Sequence, residues 1–284
     1  MPLITPKLIK QPPSLKKRPV GLWLFIVACI VVVGLFIVKL TDNKHNTAVV
    51  STATDVVETV IPSEQAIATR QLKNFTATEF VSLYNKYAYP NVKEFDISPP
   101  ITGDQAADEK IRTLAVARGY IGRSIAIPPL TDTDNYQLQE RAALAWHELS
   151  SAAKTDKHSI SLTAAFRTIE DQRELFNNAL YATGATKAAI AASKADTAVN
   201  GVLNRIAVPG YTRHHSGYTV DISCDSDPSV VFGASSCFTW LSKNNYENCK
   251  KYGWIPSYPK GASQQGPEPE EWEYSWVGFE AVSE

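Results

Sequence analysis

An α+β fold, with a small and mostly antiparallel sheet flanked by helices, is what the sequence predicts for residues 76–284. Three observations carry that prediction. Amphipathic helical stretches dominate the first part of this region. The segments that read as strands are few and short, and they follow no strand–helix–strand rhythm of the kind that builds a parallel sheet. An uncharged apolar run upstream adds one N-terminal transmembrane helix to the architecture.

That run, Pro19 to Val38, reads PVGLWLFIVACIVVVGLFIV. At 1.5 Å per residue, about 20 apolar residues match a hydrocarbon core of about 30 Å. Lys7, Lys10, Lys16, Lys17 and Arg18 precede it with no acidic residue, whereas Lys39, Asp42 and Lys44 follow it. The positive-inside rule then keeps residues 1–18 in the cytoplasm as a short tail, makes 19–39 the membrane helix and puts the rest outside. The run is longer than the apolar part of a cleaved signal and lacks a clear small-residue cleavage site. Residues 40–75, rich in Thr, Ser, Asp and Val without helical periodicity, read as a stalk.

The folded region is expected to open with helices over ATEFVSLYNKYAYP and DQAADEKIRTLAVARGY, followed by a longer amphipathic one in DNYQLQERAALAWHELSSAAK with Asp134 as its cap. HSISLTAAF, rich in β-compatible residues, reads as a strand, and RTIEDQRELFNNALYATG as a helix closed by Gly184. A further helical stretch runs from about Ala185 to Arg205. TVDI then reads as a strand. SCFTWLSKNNYENCKKYGW reads as a helix that begins near Ser236 and ends at Gly253, and the alternating aromatics of EEWEYSWVGFEAV as a final strand.

Lys and Arg number 28 against 29 Asp and Glu; five of the cations precede the span, which leaves 23 against 29, or −6, for the remainder. Nothing in that balance suggests a nucleic-acid binder. Cys29 lies in the span, which leaves Cys224, Cys237 and Cys249 on the oxidising side. One disulfide and one thiol are expected there, with Cys224–Cys237 the pairing that staples the loop after TVDI. No CxxC pair occurs, so a thiolate zinc site is not expected.

The stretch TRHHSGYTVD carries the densest chemistry. His214 and Asp221 lie seven residues apart and would face opposite sides of a straight strand, so they converge only if the chain bends between them. Gly217 tolerates such a bend. PGYTRHHSGYTVDI resembles the signature Ser-x-His-x-x-Gly-x-Ala-x-Asp of the VanY-like zinc D-alanyl-D-alanine carboxypeptidases, with Thr212 at the Ser position and Thr219 at the Ala. AAFRTIEDQRELF is similar to that family's segment in which an arginine and, five residues on, a glutamine line the substrate cleft, here Arg167 and Gln172. The last motif of the family, Glu-x-Trp-His, stands here as Glu270, Glu271, Trp272 and Glu273, so glutamate occupies the place of a histidine ligand.

The resemblance implies a carboxypeptidase that removes a C-terminal D-amino acid, D-Ala, from peptidoglycan stem peptides, with residues 76–284 as the catalytic domain; the apolar run would anchor it on the outer side of the inner membrane of a bacterium. Its metal, zinc or alternatively manganese, would be held by His214, Asp221 and Glu273. Glu270 would be the general base for metal-activated water. Arg167 would bind a substrate carboxylate or the developing oxyanion, with Gln172, Thr212 and Trp272 also at the substrate. Plainer readings make Arg167 an ion-pair partner of Glu170 or Glu174, Gln172 a solvent-facing helix residue and Glu270 one carboxylate of an acidic loop. His215 is the substitute ligand if Glu273 is not one. A ligand set of His, Asp and Glu leaves a dication formally neutral, whereas two histidines and one carboxylate leave +1, a difference that lowers the metal's acidity. That difference also motivates a second reading, a non-catalytic relative that binds or scaffolds peptidoglycan.

Overall fold

Four antiparallel strands form the sheet that positions the site. The structure, a computed structural model, describes residues 71–284 apart from Asp96. The expected cytoplasmic tail, membrane helix and nearly all of the stalk lie outside the described residues, among which no helix is long and apolar enough to cross a membrane.

Helix α1, Ala77–Lys86, starts at a capping box in which Thr76 accepts from the Glu79 amide and Glu79 reaches back to the Thr76 amide. Strand β1, Val92–Lys93, pairs with β2, Ile125–Ala126, around helix α2, Gln105–Ala117, which Asp104 caps. Strands β3, Thr131–Thr133, and β4, Tyr136–Leu138, form a hairpin. Asp134 and Asn135, both at positive φ, make its turn. The expected cap is therefore a turn residue, because Asp and Asn adopt the left-handed region more readily than bulkier residues. Helix α3, Glu140–Thr155, begins after Gln139 instead. The Asp134 carboxylate accepts from Trp146 Nε1 at 2.7 Å and ties the hairpin to that helix.

Strand β5, Ile160–Ala164, and helix α4, Ile169–Tyr181, follow as expected, the latter capped by Thr168. The helix expected over 185–205 is two, α5, Lys187–Ala191, and α6, Asp196–Leu203. Ser193 at φ 57° reverses the chain between them, which lets Ile190 and Val199 both reach one apolar cluster with Ile111 and Phe176. Strand β6 is Thr219–Cys224.

Helix α7, Ser236–Lys250, is capped by Ser235 and interrupted at 243–246, where Asn244, Asn245 and Tyr246 have positive φ. This break was not expected. Asn245 uses it to bond the backbone of Phe75 in both directions and to accept from Lys250 Nζ. Residues 71–75 thus pack on the folded unit, with Leu72 bridged to Ser283. Strand β7 is Trp254–Pro256 and β8 is Glu273–Trp276. The expected final strand stops there, and the short helix α8, Phe279–Val282, follows Gly278.

The sheet order is β5-β6-β8-β7 and every pairing is antiparallel, so the last strand in sequence lies inside the sheet. Helices α3 and α7 cover it with Trp146, Leu149 and Leu241 against Tyr218, Val220 and Tyr274. In α3 the buried residues Ala142, Ala145, Trp146, Leu149 and Ala153 recur at helical spacing and form its core-facing stripe. Cys224 and Cys237 are joined as expected, and Cys249 is a buried free thiol.

Candidate metal and catalytic site

The polar end of the sheet is built by one turn and one strand pair. Thr212 caps a short 3₁₀ turn, Arg213–Ser216, its hydroxyl accepting from the His214 amide, and Gly217 at φ 73° ends the turn. That left-handed residue supplies the expected bend and returns the chain into β6. In the register of β6 with β8, Asp221 stands directly opposite Glu273. Like charges at such a position repel unless something between them is positive.

His214, Asp221 and Glu273 each present a ligand atom within 4.8 Å of the others. His214 Nε2 is 3.4 Å from Asp221 Oδ1 and 3.6 Å from Glu273 Oε2. Two ligands at about 2.0–2.1 Å from a tetrahedral ion lie about 3.4 Å apart, so these spacings fit a zinc-sized cation. The carbonyl of Ala165 lies 2.8 Å from His214 Nδ1 and can only accept, so that nitrogen carries the proton and Nε2 offers its lone pair. Asp221 Oδ1 is buried with no hydrogen-bond partner, as an oxygen reserved for a cation would be. His215 is not a free donor: Nδ1 donates to the Arg167 carbonyl and Nε2 accepts from the Gly210 amide. Burial holds its imidazole down to about 4.

These ligands line a cavity of about 110 Å³ together with Thr212, Arg167, Glu270, Arg213 and Tyr258. Among the described residues Arg167 has no carboxylate partner; its Nη1 donates to Gln172 Oε1 at 2.8 Å, and it is Arg173 that pairs with Glu170. Gln172 is 1% exposed and donates to the Ala207 carbonyl. It is neither solvent-facing nor at the cavity: it stands behind Arg167 and fixes the guanidinium. Trp272 is 39% exposed and does not line the cavity, because it alternates away from its neighbour Glu273.

Sequence reasoning passed over Arg213, a variable position within the motif. Its side chain is buried against Glu273, a contact that only the placing of the 3₁₀ turn beside β8 reveals.

Burial raises the Glu270 carboxyl well above the usual carboxylate range, and the charges of Glu273 and then Asp221 add to the rise. Such a group binds its proton more tightly in the folded than in the unfolded chain. The stability it contributes is complete below its unfolded value, near 4.5, and is lost as pH rises towards the folded one. The metal-stripped protein is therefore expected to melt lower at about pH 8 than at about pH 5, and Glu270→Gln to flatten the difference. Calorimetry in chelator checks this; an undiminished slope in the variant would refute it.

Residues 135–279 match the family model described as VanY, D-alanyl-D-alanine carboxypeptidase. A D-alanyl-D-alanine carboxypeptidase of Enterococcus faecalis is 28% identical over a region covering 64% of this chain and 65% of its own length. The protein YodJ of Bacillus subtilis, a carboxypeptidase by name, is 26% identical over 78% of this chain and 77% of its own. Among solved structures, a mutant of the vancomycin resistance D,D-pentapeptidase VanY in complex with Zn(II) aligns with a TM-score of 0.42 and 27% identity, over 54% of this chain and 81% of that one.

Proposed function

Since the chain belongs to the VanY D-alanyl-D-alanine carboxypeptidase family, we propose that it is a metal-dependent carboxypeptidase that removes a C-terminal D-amino acid from peptidoglycan stem peptides. It would work at the outer face of the bacterial cytoplasmic membrane, held there by residues 19–39. The observation that carries the reading is the convergence of His214, Asp221 and Glu273, with His214 Nε2 at 3.4 and 3.6 Å from the two carboxylates, in one cavity with Glu270 and Arg167.

A divalent cation bound to those three side chains supplies Lewis acidity towards water and the scissile carbonyl. Glu270, which lines the same cavity, would take a proton from the attacking water and hand it to the leaving amine. Arg167 offers the arms of its guanidinium not held by Gln172 to the substrate's terminal carboxylate or to the oxyanion. His214 is kept in the ligating tautomer by Ala165.

The test is muropeptide cleavage by the detergent-solubilised full chain supplied with Zn²⁺ or Mn²⁺. Release of a single D-amino acid, lost on chelation and restored by one of the two ions, is the expected result. Glutamate at position 273 favours one other reading, a peptidoglycan-binding relative without catalysis. Binding of muropeptides without cleavage, and without stoichiometric metal by elemental analysis, would select that reading.

A further inference from the structure

The cation nearest the proposed ligands is Arg213, which the mechanism above leaves unused. Its side chain is buried, with Nη1 3.3 Å from Glu273 Oε1 and Nη2 donating to Gln265 Oε1 at 2.7 Å. Its guanidinium lies over the rings of Tyr258 and Tyr84, at 4.4 and 5.0 Å from their centroids. The two oxygens of Glu273 are thus divided: Oε1 faces the arginine, and Oε2 faces His214 Nε2.

Charge gives this division its meaning. A set of His214, Asp221 and Glu273 carries −2, one more negative charge than a set of two histidines and one aspartate. The guanidinium adds +1 beside the extra carboxylate. On the metal-site reading of the preceding subsection, we infer that Arg213 is a positioning residue that makes Glu273 the equivalent of a neutral ligand. It occupies Oε1, so that Glu273 offers the cation a single oxygen, and its charge returns the whole set to −1. Carboxylates that bind with both oxygens belong to larger cations with higher coordination numbers, whereas one-oxygen ligation keeps a four-coordinate site suited to zinc. Arginine suits the task because its rigid fork holds Glu273 and Gln265 at once and stays charged when buried. The glutamate in the last motif then leaves the metal site as electropositive as the histidine would.

The experiment strips metal from the full chain, reloads it with Co²⁺ as a spectroscopic stand-in, and separately titrates it with Zn²⁺ and Mn²⁺. The wild type is expected to take up one Co²⁺ with the intense visible bands of four-coordination. Arg213→Met frees Oε1, so its bands should weaken as Glu273 closes on the ion with both oxygens, and its preference for Zn²⁺ over Mn²⁺ should fall about tenfold or more. A folded variant with the wild-type spectrum and preference overturns the inference and leaves Arg213 a structural ion pair. If Arg213→Met does not fold, the double variant Arg213→Met with Glu273→His carries the test. It removes both charges together and must bind Zn²⁺ within about threefold of wild type, and binding weaker by about tenfold overturns the inference. A wild type that takes up no metal defeats the underlying function as well, whereas a metal-binding wild type matched by Arg213→Met defeats this inference alone.

Discussion

Glu270→Gln is expected to lower kcat/KM for muropeptide cleavage by about 10²–10⁴-fold, the usual contribution of a positioned general base. The amide keeps the size of the carboxyl but cannot accept a proton. Because Glu270 is outside the ligand triad, the metal content of the variant should stay stoichiometric, and its thermal midpoint should hold or rise once a buried carboxylate is gone. Steady-state kinetics beside elemental analysis separate the cases. A variant retaining more than about a tenth of the activity would remove Glu270 from the chemistry, and one that lost its metal would make it a ligand.

Trp146→Ala should produce the largest loss of stability, about 3–5 kcal/mol, as expected for deleting a large, fully buried side chain. Its indole fills the layer between α3 and the sheet, and its N–H holds Asp134 in the hairpin turn. Removing it opens a cavity and releases the hairpin together. The hairpin leads to Gln139, whose amide donates to the Gly217 carbonyl, so the damage reaches the turn that carries His214. For a domain of this size the melting temperature should fall by about 10 °C. Trp146→Phe keeps most of the volume and should lose much less; equal losses in the two variants would show that the hydrogen bond, not the packing, matters.

The elements with strong periodicity were legible in the sequence, among them α1, α2, β5, α4 and β6. Those that failed were places where tertiary needs override a local pattern. Asp134 looks like a cap because caps and turns favour the same short acceptors, and only the pairing of β3 with β4 distinguishes them. The break at 243–246 exists to serve Asn245 and Phe75, 170 residues apart, and no local signal anticipates it. In the site, the family resemblance singled out His214, Asp221, Glu273, Glu270 and Arg167, and the fold brings these five to one cavity. The contacts of Gln172 and Arg213 were beyond reach because each is made with residues far along the chain, Gln172 with the Ala207 carbonyl and Arg213 with Glu273. The charge counted from His214, Asp221 and Glu273 alone left out Arg213 for the same reason, since its guanidinium reaches Glu273 only in the fold.

Strand β8 has one more consequence. It is contributed by residues 273–276 but sits between β6 and β7, so it joins two halves of the sheet that have no other hydrogen-bonded pairing to each other. Without residues 273–276 the sheet would be left with the β5–β6 pair, a β7 with no strand beside it and no continuous layer. Closure of the layer therefore waits on residues 273–276, and until they are in place the facing edges of β6 and β7 stay open to solvent and to proteases.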